Sequence, residues 1–236
     1  MRSLGGATHI FSMNTDGTDL IQVTSAIPIA GFKQSELEYS WFDNGAKLYY
    51  PNFNKLYSIN QDGSGNQLVY QAADTVLISE VAVNPTNELI AIKTNKADGY
   101  AARIIVVDLV SGAEEVVIEN QSGALGGLDF SIDGNKVLYT RYITGIENIE
   151  YLQLDSRIFE YDLTTDTATE VLTSKTPGTN DLDAKYSPDD GSIIFVNTSN
   201  DGISERKIYR TAQNDEITGE ARNEALFTNA FMPNWE

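Results

Sequence analysis

FSIDGNKVLY, running from Phe130 to Tyr139, is the stretch that decides the fold. It reads as the apolar end of one strand, a tight Asp-Gly turn and a second strand with a buried face. The same ten-residue pattern recurs as WFDNGAKLYY at Trp41–Tyr50, VNPTNELIAI at Val83–Ile92 and YSPDDGSIIF at Tyr186–Phe195. A further copy opens at Trp235, so the opening residues stand 42, 47, 56 and 49 positions apart.

A second motif interleaves with the first. It appears as HIFSMNTDG from His9, KLYSINQDG from Lys55, RIIVVDLVSG from Arg103, RIFEYDLTTD from Arg157 and KIYRTAQND from Lys207. Its third residues, Phe11, Tyr57, Ile105, Phe159 and Tyr209, are spaced 46, 48, 54 and 50 apart. Two markers sharing one period define a structural repeat. Each repeat holds four short strands, A to D. Strand A ends at the opening aromatic, B follows the tight turn, and C is the basic-Ile-aromatic run. D is a short run such as LIQVT, NQLVY, EEVVI, EVLT or EALFT. One such sheet cannot bury both of its faces, so neighbouring copies must stack.

The expected fold is therefore all-β: a β-propeller of four-stranded antiparallel blades, forming a single domain over residues 1–236. The repeats are anchored near 8–50, 55–92, 103–139, 157–195 and 207–236. Pairing residues 230–236 with 8–24 in one sheet gives five blades, the count expected here, with RSLGG reading as a poor strand B for the closing blade. A slice of a larger ring would belong to six.

The signature W-S-P-D-G-x-K-I-x-F, followed by I-Y-x-M-(N/D)-x-D-G and L-T, resembles the TolB-type propeller repeats. The segments that carry the likeness are YSPDDGSIIF from Tyr186, HIFSMNTDG from His9 and EVLTS from Glu170. Val83 departs from it in place of an aromatic, as do Thr86-Asn87 in place of Asp-Gly. The resemblance spans nearly the whole chain. It implies a bacterial protein of the periplasm, the cell envelope or the exterior, with an export segment outside this sequence.

Composition narrows the partners. There are 34 acids against 16 bases, a net charge of −18, which excludes nucleic acid and anionic membranes as expected partners. No apolar run approaches the ~20 residues of a transmembrane segment, and the chain has no cysteine. The single histidine, His9, fills the slot held by Lys55, Arg103, Arg157 and Lys207, which marks it as a repeat position. The segments NTDGTD (Asn14–Asp19) and NQDGSG (Asn60–Gly65) fall at C–D turns and lack the further ligands of a Ca²⁺ loop. No catalytic residue and no cofactor is assigned.

Loop length points to one face. The B–C connections Lys93–Ala102, Thr140–Ser156 and Val196–Arg206 are long, as are the D–A connections Ser25–Leu37 and Ser174–Leu182. These share a face in up-and-down order, and binding residues concentrate on elaborated loops. The longest carries Tyr142, Ile146, Ile149, Tyr151 and Leu152, an apolar set suited to packing on its own blade or to a partner surface. In strand A, Glu38, Glu80 and Asp183 each stand three residues before the opening aromatic. Together with Asp129 they are the expected ligand-binding carboxylates at the channel mouth, suited to weak Ca²⁺ binding or to a basic peptide group. The metal is otherwise unassigned. The function expected is a non-catalytic module binding a protein or peptide partner. The alternative is a carbohydrate-binding or glycoside-hydrolysing propeller using channel carboxylates, which needs two of them ~5–10 Å apart.

Overall fold

A computed structural model describes residues 1–31, 37–98, 101–121, 125–143, 155–199, 204–212, 223–231 and 233. Every regular element among them is a strand. β1 (Arg2–Leu4) pairs with β2 (Ala7–His9), and β3 (Phe11–Ser12) pairs with β4 (Ile21–Gln22). Four antiparallel four-stranded sheets follow in chain order. The first holds β5 (Ser40–Phe42), β6 (Lys47–Asn52), β7 (Lys55–Asn60) and β8 (Gln67–Gln71). The second holds β9 (Val76–Val83), β10 (Leu89–Lys96), β11 (Ala102–Asp108) and β12 (Glu114–Gln121). The third holds β13 (Leu125–Phe130), β14 (Lys136–Tyr142), β15 (Ser156–Asp162) and β16 (Thr167–Glu170). The fourth holds β17 (Thr179–Tyr186), β18 (Ser192–Ser199), β19 (Lys207–Ala212) and β20 (Asn223–Thr228).

Both sequence markers map onto this topology. In three sheets the last residue of the ten-residue pattern lies directly across from the third residue of the second motif. Tyr50 faces Tyr57, Tyr139 faces Phe159 and Phe195 faces Tyr209. The rings stack at centroid distances of 5.8, 5.7 and 5.9 Å, and such pairs hold B against C beyond their area burial. In the remaining sheet Ile92 faces Ile105 at the same register.

The A–B turns repeat at the level of single hydrogen bonds. Ser131 Oγ donates to Asp133 Oδ1 (2.7 Å), which accepts from Asn135 N–H, while Lys136 N–H donates to Ser131 Oγ. Ser187, Asp189, Gly191 and Ser192 reproduce that set in the next sheet. The left-handed residue of the turn is Gly134 in one copy (φ 73°) and Asp190 in the other (φ 53°), both residue types that tolerate that backbone. The C–D turns are made by aspartates too: Asp108 Oδ1 accepts from the N–H groups of Val110 and Ser111, and Asp162 Oδ1 from those of Thr164 and Thr165.

Three placements differ from the sequence reading. RSLGG does form a strand: Gly5 and Gly6, at φ 58° and 85°, close a hairpin that pairs Arg2–Leu4 with Ala7–His9. β16 begins at Thr167 rather than at Glu170, because the β-branched TATE run faces Phe159–Asp162; Val171 N–H then extends the pairing to Ile158 O. The long B–C connections start later along the chain than expected, since β10 runs to Lys96, β14 to Tyr142 and β18 to Ser199, past Lys93, Thr140 and Val196. The copy opening at Trp235 lies outside the described residues.

The chain divides into two compact units, Met1–Val83 with Glu88–Asn120, and Asn84–Asn87 with Gln121–Glu236. Within the first unit, Ile78, Val81, Ile90 and Ile92 of one sheet pack against Tyr49 and Leu56 of its neighbour. A separate cluster joins Ile10 and Val23 to Leu48, Tyr50 and Ile59. Within the second unit, Leu138 and Ile158 pack against Ala184, Tyr186, Ile193 and Phe195. Each buried large apolar side chain here stabilises by about 1.5–3 kcal/mol, which is how stacking rewards a sheet that could not cover itself.

Candidate functional site

The connection that follows β16 in the second unit borders a cavity of about 320 Å³, lined by Arg157, Glu170, Leu172, Thr173, Ser174, Lys175 and Pro177. Arg157 is the second residue of β15, while Thr173 to Pro177 belong to the D–A connection after β16. A chain reversal at Thr176–Thr179, with Gly178 at φ 78°, turns Lys175 back so that its Nζ donates to Thr179 O (2.6 Å).

An ionic network reaches the cavity wall through Arg157, Glu170 and Lys175. Asp155 takes Lys175 Nζ at 2.9 Å and Arg157 Nη2 at 3.1 Å, and Arg157 Nη1 reaches Glu170 at 2.9 Å. Burial pushes the Asp155 carboxyl up, but hydrogen bonds from Arg157 and Lys175 outweigh it and leave the group below its ordinary value. The same bonds hold the Arg157 guanidinium firmly charged. Behind them lies Asp181, fully buried on β17, accepting from Thr173 Oγ1 and from Asn197 Nδ2 (2.7 Å). Burial raises its carboxyl above the usual range, opposed by those two bonds. Asn180, also buried, accepts from Ser156 N–H and donates to Ser199 O, tying this network to both sheets of the unit.

The carboxylates expected at the channel mouth are divided between the two units. In the first unit, Glu38 is half-buried and its N–H donates to Ser79 O. Glu80 is buried and paired with Lys93 at 2.8 Å, its cross-strand neighbour in register. In the second unit, Asp183 sits at φ 51° at an irregularity of β17, and Gly127 occupies the equivalent place on β13 at φ 65°. Asp129 accepts from Tyr186 N–H at 2.8 Å, while Lys185 Nζ donates to Leu128 O. Burial raises the Asp129 carboxyl, partly offset by Lys185. Among the described residues, no group of three or more histidine, aspartate or glutamate side chains is arranged to hold a metal ion. Of the apolar loop set, Tyr142 ends β14 half-buried; Ile146, Ile149, Tyr151 and Leu152 lie outside the described residues.

Sequence reasoning missed Asp155, Asp181, Thr173 and Lys175. Asp155 and Lys175 do sit at the ends of two loops singled out by length, and that was the available signal. Asp181 had none, because only its burial separates it from the other aspartates.

No family model matches the chain, and neither does any curated protein. Solved structures do. TolB from Acinetobacter baumannii superposes with a TM-score of 0.54 at 23% identity, over 72% of this chain and 40% of that one. An oligogalacturonate lyase in complex with manganese gives 0.63 at 14% identity, over 93% and 59%. Regucalcin from Agrobacterium tumefaciens, a calcium-binding protein, gives 0.53 at 13%, over 74% and 56%. The fold is thus that of the TolB-like β-propellers, built of all-β antiparallel sheets. The chain spans between 40% and 59% of the length of these structures. Among the described residues no helix is long and apolar enough to cross a membrane.

Proposed function

We propose that the chain is a non-catalytic protein- or peptide-interaction module of the bacterial envelope or exterior, binding through its elaborated loops. The observation that carries this reading is the lining of the loop cavity. Leu172 is 64% exposed and stands with Pro177 beside the Arg157–Glu170 ion pair. An apolar wall beside paired donors and acceptors suits an aliphatic side chain and the peptide groups flanking it. A sugar site calls for an aromatic platform, and none of the cavity's lining residues among those described is aromatic.

Cross-linking in intact cells tests this with the full-length protein. A discrete protein adduct is expected for the wild type and for a Val110→Asp surface control, and is expected to vanish in Leu172→Asp. Equal adducts in all three would overturn the reading. Oligosaccharide binding that survives Leu172→Asp and is lost on neutralising the channel carboxylates Glu38, Glu80, Asp129 and Asp183 would favour the carbohydrate alternative. Fractionation that finds the native protein only in cytosol would remove the envelope assignment.

We further infer a single ring of five blades. The support is that β1 to β4 supply three of the four strands of a repeat, in the positions of B, C and D. The chain has no cysteine, so pairs introduced between residues 2–4 and 230–234 report on closure directly. Ready oxidation of one such pair is expected, and failure of all of them would sink the five-blade count.

A further inference from the structure

The four sheets end on edge strands that differ in how they are protected. β12 carries Glu114, Glu115 and Glu119, and β16 has only four residues. In β8, Val69 and Tyr70 pack onto the neighbouring core. Among the described residues β20 has none of these devices: it is six residues long with one charge, Glu224. Its adjacent Leu226 and Phe227 are 37% and 62% exposed, and Phe231 just beyond it is 56% exposed. A long, apolar, exposed edge is a template for strand addition.

The neighbouring strand supplies charge. β7, β11 and β15 each carry one base, Lys55, Arg103 or Arg157, whereas Lys207 and Arg210 both lie on β19 and Arg206 immediately precedes it. Arg206 lies over the Phe231 ring at 4.9 Å, and Arg210 Nη1 stands 3.9 Å from Glu224. Basic and apolar groups therefore adjoin in a protein of net charge −18. Asn229 N–H donates inward to Arg206 O, so alternation turns the Thr228 N–H outward.

We propose that β20 is a docking edge for an extended peptide segment of another protein, alternating apolar and acidic residues, which adds a fifth strand to the β17–β20 sheet. Phe227 is registered with Ile208 and Thr228 with Lys207, so apolar side chains cover Phe227 on one face and acidic ones meet Lys207 on the other. A second copy of this chain is disfavoured as occupant by mutual repulsion.

The test uses the full chain and an end-labelled, amide-capped peptide of roughly seven residues alternating glutamate and valine, read by fluorescence anisotropy. A lysine–valine peptide is the control. The glutamate peptide is expected to bind at least about tenfold more tightly than the control, to weaken with salt, and to slow amide exchange across residues 223–228. Thr228→Pro and, separately, Lys207→Glu with Arg210→Glu are each expected to weaken it about tenfold. The charge-reversed variant keeps the test decisive if the proline variant fails to fold. Equal affinity for both peptides, binding unaffected by charge reversal, or protection of β20 arising only from self-association in sedimentation would each overturn the proposal.

Discussion

Gly127 and Asp183 stand three residues before the opening aromatic of consecutive repeats, and both adopt a left-handed backbone. This gives the acid at position 183 a local reason: aspartate tolerates that conformation, which most side chains pay about 1–2 kcal/mol to enter. A Cβ at Gly127 would lie 2.8 Å from the Cα of Asp183, while one at Gly112 (φ 73°) would meet nothing within 4 Å. Gly112→Ala should thus cost about 1 kcal/mol from backbone strain alone, and Gly127→Ala at least about 1 kcal/mol more. Urea midpoints of the two variants measure the difference, and equal midpoints would mean that β13 and β17 yield freely at this contact. Asp155 is the second informative residue. Asp155→Asn leaves Lys175, largely buried, without its carboxylate and should cost about 3 kcal/mol at neutral pH. Because the folded-state carboxyl lies below its ordinary value, its contribution is complete above about pH 4 and is lost as pH falls through that lower value. The gap between wild type and variant should therefore narrow on acidification, as melts across pH 2 to 7 would show. A constant gap would assign the loss to packing.

At the scale of the element, the A–B turn is the unit that recurs most faithfully. Ser131 and Ser187, both buried, make equivalent bonds to Asp133 and Asp189 and receive the N–H groups of Lys136 and Ser192. Removing either hydroxyl orphans a backbone donor, part-buried at Lys136 and buried at Ser192. Ser131→Ala and Ser187→Ala should each cost about 1–2 kcal/mol and agree within about 0.5 kcal/mol. Disagreement beyond that would show that the two turns, alike in geometry, are loaded differently by their surroundings. The Ser-x-Asp pattern was plain in the sequence at both places, since the turn needs no distant partner to form. Strand ends were less legible. β16 starts three residues earlier than its apolar pattern suggested, because cross-strand pairing with β15 and not apolar alternation sets its register.

For the whole molecule, charge is the dominant long-range term. With acids outnumbering bases by 34 to 16, the folded chain repels itself, and screening should relieve that repulsion. The melting temperature is expected to rise by a few degrees between about 10 mM and 0.5 M NaCl. A fall instead would show that ion pairs such as Glu80–Lys93 and Asp155–Lys175 outweigh the general repulsion. Differential scanning fluorimetry of the unlabelled protein is sufficient to decide the sign.

The repeat, the strand order and the tight turns were all determined by the sequence, because each depends on residues close together along the chain or at a fixed period; the stacking of the repeat aromatics in pairs came from the strand register. The hairpin at Gly5-Gly6 shows how far that reach extends: its glycines encode the turn, although the three strand residues before it carry no pattern of their own. What only the tertiary structure decided is which charges matter. Glu80 and Asp183 share a repeat position, yet one is neutralised by Lys93 across its sheet and the other stands where the strand needs a left-handed residue. Asp155, Asp181 and Lys175 stand 26 and 6 residues apart in sequence and are drawn into one buried network by the stacking of two sheets. Burial and proximity set the electrostatics of a carboxylate, and neither is written in the period of a repeat.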